Sequence, residues 1–558
     1  MDSSHVDLAQ KLKDEGNALF AQKSYASASA KYSEAIALDD KSPILYANRS
    51  ACRLNLRQFL DAATDAFRAT ELSPTYGKAW ARLATARDAL RQPWVSVEAW
   101  KKALGTLSKD DLSEAEIKQK AEYEAGLSAA SKALELNRSG ADVGPRLEYK
   151  NDDRSLTPWM CALALMPQLE RERNHRSSAW TIAHAYLDLE KGNELLSHQK
   201  VQMKDGAEQL RATLRAIEHL SNAIMMDSRV FHIGSQDWIE RFNRQCEQFA
   251  FSMEEGHSLT CGSSMNITDR GYPLDPRESS NKRKRDWRRK GGIVSWILLG
   301  FLDGGARQNH VSEAEHITRA LEVIEWGRKT WPDVPSKDRG VIFMDTFVRG
   351  VQKLRIEALV EASTQEKDAS SRLQRLEELL VEAEKIIKDI DDGEQSNREE
   401  NPSVAAAFCY YPRGHARGAK AFYYGRKAEL SEDKDECREL HGEAAMTYLE
   451  ALEDFCEDDE QYTLYLNAAL QHMLKAGAPV GFMLKQMERL RDTIPKTQPI
   501  WGKMMSIQQA GESRFEHVLK YEKHFRDLLA EGKITEDVGL GLTFLTDDNR
   551  DSSIVLDI

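Results

Sequence analysis

The chain has 558 residues, of which 41% are hydrophobic and 30% charged, a balance suited to roughly three or four water-facing folded domains. Its 77 basic and 90 acidic side chains leave a formal charge of −13, which argues against a general nucleic-acid or anionic-membrane binder. Seven cysteines without a CxxC spacing point to a reducing compartment rather than a disulfide or metal framework.

Residues 1–8, MDSSHVDL, have neither a basic n-region nor an apolar h-region, so no signal peptide is expected. Residues 9–110 then repeat with a period of 34. Ala28, Ala62 and Ser96 coincide, as do Ala35, Ala69 and Ala103, and Leu12, Tyr46 and Trp80 share an earlier position. Such a period marks stacked helix-turn-helix units. In the first unit, Leu12, Gly16 and Leu19 form one apolar stripe and Ala28, Tyr32 and Ala35 its partner, each at the spacing of a helical face. Residues 111–136 predict a long amphipathic seventh helix that caps the last unit.

Five polar residues stand out on the first helices of these units: Lys13, Asn17, Asn48, Lys78 and Arg82. At about 100° per residue they span an arc roughly 100° wide, centred about 145° from the packing stripe. They therefore share the face that lines one concave groove in a helical solenoid. Ammonium, guanidinium and amide N–H groups all donate hydrogen bonds, so the set suits a ligand carrying carboxylates.

The segments LKDEGNALF, YASASAKYSEAIALD, LYANRSACR and ELSPTYGKAW resemble the tetratricopeptide repeat family. The pattern KxxxN, N, KxxxR looks like the dicarboxylate clamp of co-chaperone repeat domains such as the Hop/Sti type. That resemblance implies a groove for the extreme C-terminus, ending EEVD, of cytosolic heat-shock chaperones of the ninety- or seventy-kilodalton class. Lys13, Asn17, Asn48 and Lys78 would then hold the terminal carboxylate and last Asp side chain. Arg82 would reach an upstream acidic group or carbonyl. Charge-assisted hydrogen bonds of about 1.5 to 3 kcal/mol each, less ordering costs, imply roughly micromolar affinity for a short peptide.

Beyond this domain, assigned to residues 1–138, a polar Gly- and Pro-containing linker opens a helical region, 139–254. There KGNELL, with Ala216, Leu220 and Ala223, echoes the first unit with about twelve extra residues between its halves. It reads either as a degenerate repeat or as an ordinary helical hairpin. Residues 255–292 read as a basic loop or linker ending in Lys282, Arg283, Lys284, Arg285, Arg288, Arg289 and Lys290. This block is either a solvated surface, an import signal or an anionic-partner contact. The apolar run Ile293–Leu302 is about half a membrane span in length and reads as buried helix. Residues 293–533 follow as a helical domain of hairpin or solenoid type, interrupted by an exposed polar segment at 391–402, and 534–558 as a flexible tail.

The expected fold class is all-α: a three-repeat solenoid with a capping helix, followed by further helical hairpins. No P-loop, GxGxxG fingerprint, HExxH or GxSxG motif is present. His415, His441 and His472 fall on separate predicted helices, and the pairs Tyr410–Tyr411 and Tyr423–Tyr424 read as aromatic packing. No catalytic residue, metal or cofactor is expected, nor a membrane or nucleic-acid partner. The expectation is a non-enzymatic, cytoplasmic adaptor whose C-terminal helices meet a further protein. The alternative is a scaffold of a nuclear or RNA-linked assembly that uses the basic block.

Overall fold

Lys23, Arg57 and Arg91 adopt positive φ, at 60°, 59° and 50°, so the 34-residue period recurs in the backbone. Each ends a first helix in a Schellman turn. Lys23 and Ser24 donate to the Phe20 and Leu19 carbonyls, Arg57 and Gln58 to Leu54 and Arg53, and Arg91 and Gln92 to Asp88 and Arg87. The computed structural model describes residues 3–107, 113–138, 157–204, 207–211, 215–233, 235, 237–251, 282–333, 341–366, 369–393, 401–502 and 505–539. They group into two compact units, one of Met1–Glu148, Met203–Glu208 and Phe242–Ala320, the other of Tyr149–Gln202, Gln209–Arg241 and Leu321–Ile558.

In the first unit the repeats are the helix pairs α1 (Ser3–Ala21) and α2 (Tyr25–Leu38), α3 (Pro43–Asn55) and α4 (Phe59–Leu72), α5 (Gly77–Ala89) and α6 (Pro93–Gly105). Small residues let the helices approach. A Cβ on Gly16 would fall 2.8 Å from the Tyr32 ring, and Ala28, Ala35, Ala62, Ala69 and Ala103 are fully enclosed. The buried Asp65 carboxylate ties the second repeat together, accepting from Arg49 at 2.7 and 2.8 Å and from Arg53 at 2.7 Å. The capping helix is present as α7 (Glu114–Arg138). It buries Tyr123 and Ala130 and packs Gly126 against Trp100.

The second unit begins with α8 (Pro158–Arg171) and α9 (Ala179–Ser197), joined through a positive φ at Arg173 of 53°. The echo of the first repeat is a packed pair. Helix α9 lies against α10 (Arg215–Met226), with Gly192 meeting Leu220 as Gly16 meets Tyr32. The extra residues between them form a two-stranded hairpin, β1 (Lys200–Lys204) and β2 (Ala207–Arg211). That corrects the purely helical reading of 139–254: the first strand, VQMK, alternates apolar and polar residues with period two. Helix α11 (Trp238–Phe251) follows; its residues from Phe242 on, like Met203–Glu208 of the hairpin, group with the first unit.

The basic block is also corrected. It is not a loop: Lys282, Arg283, Lys284, Arg285, Arg288, Arg289 and Lys290 occupy the first turns of α12 (Lys282–Arg307). Lys and Arg are good helix formers, and the helix they join is fixed by Ile293, Val294, Trp296, Ile297 and Leu298, all buried as the apolar run predicts. Helix α13 (His310–Thr330) comes next. The sequence places 293 onward in one C-terminal domain, whereas the residues up to Ala320 group with the repeats. Asn309 donates to the Leu90 carbonyl, Glu315 accepts the Phe59 and Leu60 N–H groups, and Arg319 pairs with Asp61 at 3.2 Å.

The remaining helices are α14 (Asp345–Gln365), α15 (Ala369–Asp392), α16 (Tyr411–Leu430), α17 (Lys434–Ala451), α18 (Glu460–Ala476), α19 (Val480–Trp501) and α20 (Met505–Ala530). They stack as successive hairpins, α14 on α15, α16 on α17, α18 on α19. A π-helical turn at Ala406–Tyr410 precedes Pro412, which lacks an N–H to donate to the carbonyl four residues back. The tail is folded at its start. Ile534 is buried, and the Glu536 and Val538 carbonyls accept the Gly481 and Val480 N–H groups at 2.9 and 3.0 Å, satisfying the open end of α19. Residues 540–558, most of the polar linker at 138–156, and 252–281 lie outside the described residues. No helix among the described residues is long and apolar enough to cross a membrane.

Candidate functional site

Helices α1, α3 and α5 carry the five predicted groove residues, and Asn17 and Asn48 meet between α1 and α3. Lys13 and Asn17 sit one turn apart on α1, Asn48 on α3, and Lys78 and Arg82 one turn apart on α5. Asn17 and Lys78 are exposed, and Lys13 and Asn48 half-buried. Among the described residues neither Lys13 nor Lys78 has an ion-pair partner.

Two of the five, Asn17 and Asn48, meet at one oxygen that also takes a bond from a residue that the sequence assigns to packing alone. The Tyr32 hydroxyl donates to Asn17 Oδ1 at 2.8 Å, and Asn48 Nδ2 donates to the same oxygen at 3.3 Å. Both oxygen lone pairs of Asn17 thus face inward and its amide N–H groups are left for the groove. Tyr32 is 2% exposed. Burial pushes its phenol up to about 12, so the hydroxyl keeps its proton across the physiological range. The missed signal is general: a buried tyrosine hydroxyl seeks a partner.

Arg82 lies at the floor. Its Nη1 is shielded from water and has no hydrogen-bond partner among the described residues. Burial pulls the guanidinium below its ordinary value, against the opposing influence of Tyr76, Tyr32, Cys52 and Tyr123 around it. A guanidinium with one N–H group shielded from water and without a partner among the described residues gains from a carboxylate. The lysine ammonium groups of Lys13 and Lys78, without ion-pair partners among the described residues, and the amides of Asn17 and Asn48 are donors of the kind a carboxylate accepts from.

No family model matches the chain. Its N-terminal region is similar to repeat-containing co-chaperones. It is 42% identical over 83 residues to the heat shock protein sti1 homolog of Schizosaccharomyces pombe, covering 15% of this chain and 14% of that protein. It is 34% identical over 131 residues to small glutamine-rich tetratricopeptide repeat-containing protein 2 of Saccharomyces cerevisiae, covering 24% of this chain and 37% of that one. The chain therefore spans between about a seventh and three eighths of the length of these relatives. Among solved structures it is similar to the Sgt2 repeat domain of Aspergillus fumigatus, 31% identical, covering 26% of this chain and 92% of that one with a TM-score of 0.22. It is also similar to the first repeat domain of Spaghetti (RPAP3) bound to an HSP90 peptide, 27% identical over 23% of this chain and 94% of that one, TM-score 0.21.

The second unit holds a different polar cluster. Arg229 pairs with Asp227 and Asp459, both at 2.7 Å, and stacks over Trp501 at 4.3 Å. The buried Lys353 ammonium donates to the Met226 carbonyl at 3.1 Å. Nearby, His415 stands 3.8 Å from Glu357. Burial lowers Lys353, raises Glu357 and pushes the His415 imidazole down to about 3. These groups neutralise one another and tie the end of α10 to the start of α18. The structure also joins two histidines that the sequence leaves apart, with His441 Nδ1 and His472 Nδ1 at 3.0 Å. Tyr411 and Tyr423 are buried, as aromatic packing requires, while Tyr410 is exposed.

Proposed function

We propose that the N-terminal groove binds the acidic carboxy-terminal segment of a heat-shock chaperone, ending EEVD, and that the chain is a non-enzymatic cytoplasmic adaptor. The observation that carries this reading is the buried Nη1 of Arg82, which has no hydrogen-bond partner among the described residues, on the same set of first helices as the contacting Asn17 and Asn48 and as Lys13 and Lys78, which lack ion-pair partners among those residues. The relatives support it by name. They include the Hsp70-Hsp90 organizing protein of Triticum aestivum, 34% identical over 97 residues, and the heat-shock protein cognate co-chaperone sgt12 of Aspergillus fumigatus, 38% identical over 96 residues.

In this reading the terminal carboxylate and last Asp side chain meet Lys13, Asn17, Asn48 and Lys78, and Arg82 takes an upstream acceptor. The second unit is the arm that meets another protein. Isothermal titration of the full chain with an EEVD-ending peptide tests the groove. Wild type should bind with roughly micromolar Kd, and Arg82→Ala should weaken binding at least tenfold, because a charge-assisted bond of about 1.5 to 3 kcal/mol is lost. Unchanged affinity in Arg82→Ala would contradict the reading.

A further inference from the structure

We infer that Tyr32 is a positioning residue of the groove: its hydroxyl fixes the orientation in which Asn17 presents its carboxamide to an anionic ligand. The inference rests on the acidic-peptide reading of the groove and goes beyond it by assigning a role to a side chain below the groove surface.

An asparagine amide has two near-isosteric orientations, one donating toward a ligand and the other accepting. A carboxylate ligand tolerates only the first. Asn17 is exposed, and its neighbour across the groove, Asn48, reaches its oxygen only at 3.3 Å. The shorter contact is the one from Tyr32, at 2.8 Å. That phenol has little freedom of its own. Its ring is wedged beneath Gly16, where an added Cβ would lie 2.8 Å from Cε1 and 3.0 Å from Cδ1, and it is enclosed to 2% exposure. A rigid hydroxyl from α2 therefore holds Asn17 Oδ1 inward and turns Nδ2 toward the ligand.

Arg82 adds a second reason for the same order. Arg82 and Tyr32 influence one another electrostatically, and donation of the hydroxyl proton to Asn17 leaves the phenol oxygen available to face a cation. The ring that packs the first repeat thereby reaches Asn17 of α1, whose oxygen Asn48 of α3 also meets. Removing the hydroxyl while keeping the ring leaves Asn17 free to rotate and offer its oxygen to an incoming carboxylate.

The test is a double-mutant cycle on the full chain, read as Kd for an EEVD-ending peptide. Tyr32→Phe keeps the packed ring and should weaken binding about three- to tenfold, the range of one neutral hydrogen bond. Asn17→Ala should weaken it by at least as much. In the Asn17→Ala background, Tyr32→Phe should have no further effect, because the group it positions is gone. A purely structural role predicts the same loss in both backgrounds, which would overturn the inference, as would unchanged binding by Tyr32→Phe alone. If Asn17→Ala weakens binding but Tyr32→Phe does not, the groove reading stands and the positioning role fails. If wild type itself does not bind the peptide, both fail together.

Discussion

Glu315 accepts the backbone N–H of Leu60 at 2.7 Å. A carboxylate from α13 therefore caps α4, whose own N-cap residue, Gln58, makes no side-chain cap bond. A negative group at a helix start contributes about 1 kcal/mol. Glu315→Ala should lower stability by about that amount and speed amide hydrogen exchange at Phe59 and Leu60. A fragment of residues 1–138, which also lacks the Asn309 and Arg319 contacts, should exchange faster still through α4. Unchanged protection in both would show the cap to be dispensable.

Asp65 is the hub of the second repeat. Its carboxylate is 3% exposed and serves Arg49 and Arg53 together. Removing one partner of a buried ion pair strands the other charges, at about 3 to 5 kcal/mol. Asp65→Ala should lower the thermal midpoint of the repeat unit sharply, whereas Glu71→Ala, at an exposed pair with Arg68, should shift it little. Equal shifts would refute the distinction.

Gly16→Ala tests the contact beneath the groove. The added methyl falls within 2.8 Å of the Tyr32 ring, so the ring or the helix must move, at about 1 to 3 kcal/mol. Since Tyr32 also holds Asn17, acidic-peptide affinity should fall along with stability. Wild-type stability in the Gly16→Ala variant would mean that α1 and α2 separate freely.

Acid should destabilise the second unit through His415. Its folded value of about 3 lies below the ordinary 6.5, so the unfolded chain binds a proton that the folded chain does not. Stability is full above about 6.5 and is lost as pH falls toward 3, by about 2 kcal/mol at pH 5. His415→Gln should flatten that part of the urea-midpoint profile between pH 7 and 5. A profile identical to wild type would assign the acid sensitivity elsewhere.

The repeats were legible because each helix pair reuses small residues at fixed spacing, and helical geometry gives Lys13, Asn17, Asn48, Lys78 and Arg82 a shared face as an expectation, of which the structure shows the Asn17–Asn48 contact. What escaped was non-local. Tyr32 reads as a packing residue, since the direction of its hydroxyl depends on how closely Gly16 lets two helices approach. Glu315, Asn309 and Arg319 are ordinary polar helix residues until α13 is placed against α4 and the end of α5. The 282–290 block reads as a loop because it carries no apolar periodicity, but the buried run from Ile293 carries the helix back through it. At the other end, the lack of helical periodicity suggests a tail from 534, whereas Ile534 is buried and the Glu536 and Val538 carbonyls close the start of α19.

The most direct measurement compares two peptides of one EEVD-ending sequence, one with a free C-terminal carboxylate and one amidated, titrated into the full chain at low and physiological salt. The groove of Lys13, Asn17, Asn48, Lys78 and Arg82 predicts that the free acid binds at least tenfold more tightly, one charge-assisted bond or more, and that its affinity weakens with salt because the lysines are screened. Equal binding of the two peptides would contradict the account.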